Sequence, residues 1–113
     1  MLTHNKGGFY TDKKVYNAVS SRADGHCEVC HTYYGERLEL HHILRRKIEA
    51  NKDNCIMLCS DCHRGTSGIH GRDGHTLDLE LKLKLQRKYF KQGYLENEVR
   101  VLMNGRLYIE EGI

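Results

Sequence analysis

The stretch that decides the fold runs from Cys27 to His63, CEVCHTYYGERLELHHILRRKIEANKDNCIMLCSDCH, and carries a Cys-x-x-Cys pair near each end. Cys27 and Cys30 form the first pair, Cys59 and Cys62 the second. Four thiolates at this spacing can close a tetrahedral shell around zinc, at Zn–S distances of about 2.3 Å, with no position left for a substrate. Such a site is structural. The competing reading is a pair of disulfides, but Met1 to Tyr10 lacks the apolar run of a secretory signal, so reduced thiols and a metal are expected. Between the knuckles, Leu38-Glu39-Leu40 alternates apolar and polar, which predicts a half-buried strand over Arg37 to Ile43. Cys55 to Leu58 is a second short apolar run, and Asp61 to Arg64 opens a helix. The order is β, β, α.

Outward from this centre, Lys13 to Arg22 carries Val15, Tyr16, Ala18 and Val19 at helical spacing and ends at Gly25. Residues 1–12 are expected to be a flexible N-terminus. Downstream, Gly65, Gly68, Gly71 and Gly74 break the chain into turns, after which Asp73 or Thr76 can cap a helix that runs to about Gln92. Its apolar rows are Leu77, Leu81, Leu85, Tyr89 and Leu79, Leu83, Phe90. Gly93 stops it, Leu95 to Met103 reads as another short helix, and Arg106 to Ile109 as a last strand. The expected architecture is α+β. It is one domain over 13–113, with a motif core at 27–70 and a helical C-terminal part at 76–113.

With 113 residues, 39% of them hydrophobic, and no Trp or Pro, the apolar core must be thin. A structural zinc contributes an apparent ~10–16 kcal/mol to the folding of small domains, which makes up for such a core. Cys55, inside an apolar run, is expected to be a packed core thiol. No stretch approaches the ~18–20 apolar residues of a membrane span. The net charge of +3 permits contact with nucleic acid without demanding it. Arg45, Arg46, Lys47, Lys52 and Arg64 lie around the motif and are candidates for salt-dependent phosphate contacts. Lys82, Lys84, Arg87, Lys88 and Lys91 read as a solvated helix face no less readily than as a DNA-facing one.

The run LELHHIL, residues 38–44, followed by NCIMLCSDCH, residues 54–63, resembles the zinc-bearing branch of the HNH endonuclease family. The resemblance implies a zinc-stabilised ββα-metal core and metal-dependent hydrolysis of phosphodiester bonds. It assigns His41 and His63 as ligands of a catalytic divalent metal, His42 as general base, and Asn54 as the residue that orients the His42 side. His70 would be a further ligand, as in colicin-type members, although its spacing from His63 is wider here. The residues alone leave His41 and His42 equivalent. Neighbours in a regular strand point to opposite faces, so the strand must bend or end at this pair. A first shell of neutral nitrogens suits Mn²⁺, Ni²⁺ or Co²⁺ at least as well as Mg²⁺.

By resemblance to phage-type stand-alone members, the expected partner is duplex DNA, cut or nicked with low sequence specificity. Packaging proteins such as a terminase would work beside it in the cytoplasm of a bacterial or phage-infected host cell, and no membrane is involved. The alternatives are a noncatalytic zinc-binding DNA-binding or adaptor module, and a nuclease for RNA or branched DNA on the same scaffold.

Overall fold

The computed structural model describes residues 2–4, 10–45 and 48–108. Strand β1 (Leu2–His4) pairs antiparallel with β2 (Tyr10–Asp12), which leads directly into helix α1 (Lys13–Ala23). Of the segment 1–12 expected to be flexible, Met1 and residues 5–9 lie outside the described residues, and the remainder forms these two strands. A central antiparallel pair follows, β3 (Glu39–His42) against β4 (Cys55–Leu58), and then the short helix α2 (Ser60–Arg64). The expected β, β, α order is present, and the protein is α+β.

The register of the central pair sorts its side chains between two layers. Leu40 lies opposite Met57, and His42 opposite Cys55; Glu39 lies opposite Leu58, and His41 opposite Ile56. Because side chains alternate across a strand, the first two pairs share one face and the second two share the other. Leu40, Cys55 and Met57 pack with Val19 and Ala23 of α1. Leu58 packs on the opposite side with α3 (His75–Lys91) and α4 (Glu96–Leu102) through Leu81, Leu85, Tyr89 and Val99. Cys27 and Cys59 belong to that second cluster, so the knuckles are built into its core. Cys55 is fully buried, as expected of a core thiol, and burial pushes its pKa up to about 12.

Three details depart from the sequence pattern. Helix α3 starts after Gly74, which offers no side-chain cap, rather than after a capping Asp73 or Thr76. Its buried stripe is narrower than the two expected rows: Leu81, Leu85 and Tyr89 are buried, whereas Phe90 is exposed. The expected strand Arg106–Ile109 does not form over its described part, and Ile109 lies outside the described residues. There the buried amide of Gln86 holds the backbone of Tyr108 both ways. Gln86 Nε2 donates to Tyr108 O at 2.9 Å, and Tyr108 N donates to Gln86 Oε1 at 2.7 Å. A side chain supplies the hydrogen bonds that a partner strand would have given.

The segment between α2 and α3 is clipped back onto α2. Ile69 N donates to Cys62 O, and His70 N to His63 O, each at 2.9 Å. Gly71 N donates to Gly68 O at 2.8 Å, and Asp73 N to Thr66 O at 2.8 Å. Glycine is required by close approach: a Cβ on Gly71 would collide with the carbonyls of Gly65 and Thr66, and one on Gly74 with those of Gly68 and Ile69. This fold-back carries His70 to the side of His63. No helix among the described residues is long and apolar enough to cross a membrane.

Gly71→Ala should therefore destabilise the protein by at least about 1 kcal/mol, several degrees in thermal midpoint, because backbone oxygens cannot yield cheaply to a methyl group. An unchanged midpoint in thermal denaturation would show that the fold-back has room to spare.

Candidate functional site

The knuckles converge. Cys27, Cys30, Cys59 and Cys62 have their sulfur atoms within 4.8 Å of one another, and Cys30 Sγ lies 3.9 Å from Cys59 Sγ. Sulfurs at tetrahedral corners about 2.3 Å from zinc are about 3.8 Å apart, so this separation fits a shared ion. Each knuckle also turns an amide toward its leading sulfur: Cys30 N donates to Cys27 Sγ at 3.5 Å, and Cys62 N to Cys59 Sγ at 3.4 Å. Cys59 is at once a member of the shell and the N-cap of α2. Hydrogen bonds from Thr32 bring the Cys30 thiol down to about 6, while burial pushes Cys59 and Cys62 upward. Buried thiols that resist ionisation become thiolates when a cation offsets their charge, which is the chemistry of a zinc shell. Four cysteines are thus positioned to bind a metal ion, and the donor set is that of structural zinc.

A second cluster sits next to the first. His41 at the end of β3, His63 in α2 and His70 on the fold-back present one ring nitrogen each within 4.8 Å of the others. Their ring centroids are 5.2 Å apart for His41 and His63, 5.3 Å for His41 and His70, and 4.8 Å for His63 and His70. His63 immediately follows Cys62, so the knuckle fixes its place. The Nε2 atom of His41 is buried and has no hydrogen-bond partner among the described residues. An orphaned nitrogen on a buried imidazole that lies beside two other imidazoles has the character of a metal ligand.

Burial, reinforced by His63, Arg45, His70 and His42, pushes the His41 pKa down to about 2, so its ring stays neutral, the form that can donate a lone pair. Burial and Arg45 push His70 downward as well. Three imidazoles would suit a borderline divalent cation and would leave it further positions, as in catalytic rather than structural sites.

Glu39 was not singled out from the sequence, and it holds this cluster in place. It is 7% exposed, and its Oε1 accepts from His63 Nδ1 at 2.7 Å. That bond fixes the ring and leaves Nε2 for a ligand role. Arg64 closes the other side of the same carboxylate, with Nε 3.1 Å from Oε1 and Nη2 2.7 Å from Oε2. Its guanidinium is engaged there, although sequence reading counted it among the phosphate contacts. The signal available in the sequence was the period of two that puts Glu39 on the same strand face as His41.

The remaining candidates are distributed as follows. His42 is buried and is the last residue of β3, so the strand does end at the histidine pair; a turn over Ile43–Arg45 follows. The ladder puts it on the Cys55 side, and its ring is not one of the three that cluster. Asn54 is buried, accepts from Asn51 N at 2.8 Å and donates to Glu49 O at 3.0 Å, while its carbonyl receives Ile43 N at 2.8 Å. It ties the β3–β4 connection to the residue after His42. Arg45, with φ +61°, places Nη1 3.1 Å from His70 Nδ1 and Nη2 3.7 Å from Asp78 Oδ1. Lys52 is exposed, and Arg46 and Lys47 lie outside the described residues.

Residues 27–67 match the model of the HNH endonuclease family, a segment that holds both knuckles, β3, β4, α2, and the pair His41 and His63. His70 lies just beyond it. Comparison with curated proteins and with solved structures gives no match. The segment's match and the ββα arrangement around a cysteine shell agree with an HNH nuclease domain.

Glu39→Gln should leave the fold in place and weaken binding of Co²⁺ or Ni²⁺ at the histidine cluster by about 10–100-fold, the usual effect of losing a ligand's outer partner. Titration followed by the visible spectrum of Co²⁺ reads this directly; an unaltered affinity would reduce the carboxylate to a packing role.

The depressed His41 pKa also has a stability consequence. Below about pH 6.5 the unfolded chain takes up a proton that folded His41 refuses, so stability falls as pH falls through that value. Between pH 7.5 and 5.0 the thermal midpoint of the wild type should drop more than that of His41→Gln; equal drops would mean that the ring titrates normally in the fold.

Proposed function

We propose that this protein is a metal-dependent DNA endonuclease that hydrolyses phosphodiester bonds by nicking or cutting duplex DNA, with low sequence specificity. The observation that carries the reading is the convergence of His41, His63 and His70 beside a cysteine shell, in a segment that matches an HNH endonuclease family. In this reading His41, His63 and His70 hold a divalent cation, which supplies positive charge to the oxygens of the scissile phosphate as negative charge develops there. His42 takes the proton from the attacking water at a ring nitrogen. Asn54 keeps the His42 end of the strand in place through the connection it closes. Glu39 holds His63, and Arg45, next to His70, meets a phosphate oxygen. The products carry 5′-phosphate and 3′-hydroxyl ends.

Nitrogen donors favour Mn²⁺, Ni²⁺ or Co²⁺ at least as much as Mg²⁺, which keeps its waters and prefers oxygen. The similarity to stand-alone phage nucleases extends the proposal to a role beside packaging proteins such as a terminase, in the cytoplasm of an infected bacterium. Lys52, with Arg46 and Lys47, would contribute phosphate contacts.

A plasmid-nicking assay across Mg²⁺, Mn²⁺, Co²⁺ and Ni²⁺ tests the proposal. Cleavage should be at least as fast with the last three as with Mg²⁺, and His42→Ala should lower it by about 10²–10⁴-fold while zinc content and folding persist. No cleavage by the wild type with any of these ions would favour a noncatalytic zinc-binding DNA-binding or adaptor module instead.

A further inference from the structure

Helix α3 carries Lys84, Arg87, Lys88 and Lys91 at spacings of three, four and seven residues, so the four cations form one stripe along one face. Neighbours in such a stripe repel each other. Lys88 is offset by a carboxylate across the groove, Asp53 Oδ1 at 3.1 Å. Lys84 and Lys91 are exposed and have no ion-pair partner among the described residues. Glu80, one turn before Lys84, does not pair with it. A helix face that holds Lys84 and Lys91 two turns apart, neither with a carboxylate partner among the described residues, is suited to a polyanion.

The stripe does not stand on an isolated helix. It lines a cavity of about 530 Å³ together with Arg22 of α1, Ile43 and Cys55. Ile43 follows His42 in sequence, and Cys55 is its partner across the ladder. Glu28, the remaining acid in the lining, is neutralised by Arg22 at 2.7 Å. The cavity therefore has an excess of positive charge, and two of its lining residues, Ile43 and Cys55, adjoin the proposed base.

We infer that this groove binds the sugar–phosphate backbone of a nucleic acid, with α3 as a phosphate track that leads to the histidine centre. At 1.5 Å per residue the stripe is about 10 Å long, the axial length of about three nucleotides of a duplex strand. The ligand class rests on the nuclease reading, since a phosphodiester polymer is the substrate proposed there; the binding itself needs no ion at the histidines. The stripe lies outside residues 27–67, so the family match does not assign it.

The test is fluorescence anisotropy of a 20-bp duplex DNA and a 20-bp duplex RNA, with zinc-loaded protein, no other divalent ion, and a series of salt concentrations. The variants are Lys84→Gln/Lys91→Gln and, as a control of equal charge change elsewhere, Lys13→Gln/Arg100→Gln. On whichever duplex the wild type binds, the α3 variant should bind more weakly, with the slope of log K against log salt reduced by about 1.8, two contacts at about 0.9 each. The control should change the slope by less than half as much.

An unchanged slope in the α3 variant, an equal change in the control, or no binding of either duplex by the wild type overturns the inference. Plasmid nicking by the same preparations separates the two claims. A stripe-dependent duplex affinity with no cleavage supports the groove and rejects the nuclease; cleavage with an unchanged slope does the reverse.

Discussion

The convergence of four sulfur atoms from two distant knuckles is the constraint on which the rest of the structure depends. Cys27 and Cys30 arrive before the strand pair, Cys59 and Cys62 after it, and their meeting closes the whole intervening segment. Closing it costs chain entropy, which an ion shared by the four sulfurs would offset. Cys59 also caps α2, so the same sulfur that closes the shell starts the helix that bears His63. Structural chemistry and candidate catalytic chemistry are in this way separated by one peptide bond, between Cys62 and His63.

The strand pair then divides the labour between its faces. One face, with Leu40, Cys55 and Met57, meets α1 and also carries His42 at the strand end. The other carries Glu39 and His41, polar groups buried at a cost that must be met by partners. Glu39 meets it with His63 and Arg64; His41 leaves one nitrogen without a partner among the described residues. That asymmetry is the strongest local sign that something positively charged and coordinating belongs there. Arg64, itself half-exposed, is engaged by the buried Glu39 carboxylate.

What could be read from the sequence was what depends on short spacing. The two Cys-x-x-Cys pairs gave the shell, alternation gave β3, and helical rows gave α1 and most of α3. Residues whose role depends on the path of the chain were harder. His70 lies seven residues from His63, a spacing that no single helix turn explains, and only the fold-back held by Ile69 and His70 amides brings it close. Glu39 read as the polar position of a strand because its partners, His63 and Arg64, are 24 and 25 residues away. The Arg106–Ile109 pattern looked like a strand, but the groups that satisfy the Tyr108 backbone belong to the Gln86 side chain.

The glycine fold-back has a consequence for how such centres vary. A ligand borne on a helix must keep helical periodicity with its partner, so any insertion rotates it away. Here the third imidazole is delivered by backbone amides that grip the preceding turn, and its register is independent of the count of residues in between. A strap of this kind can lengthen or shorten at its outer bend while its ligand stays on target, provided its contact points remain free of side chains. Sequence patterns that insist on one fixed histidine interval would pass over proteins that share this arrangement.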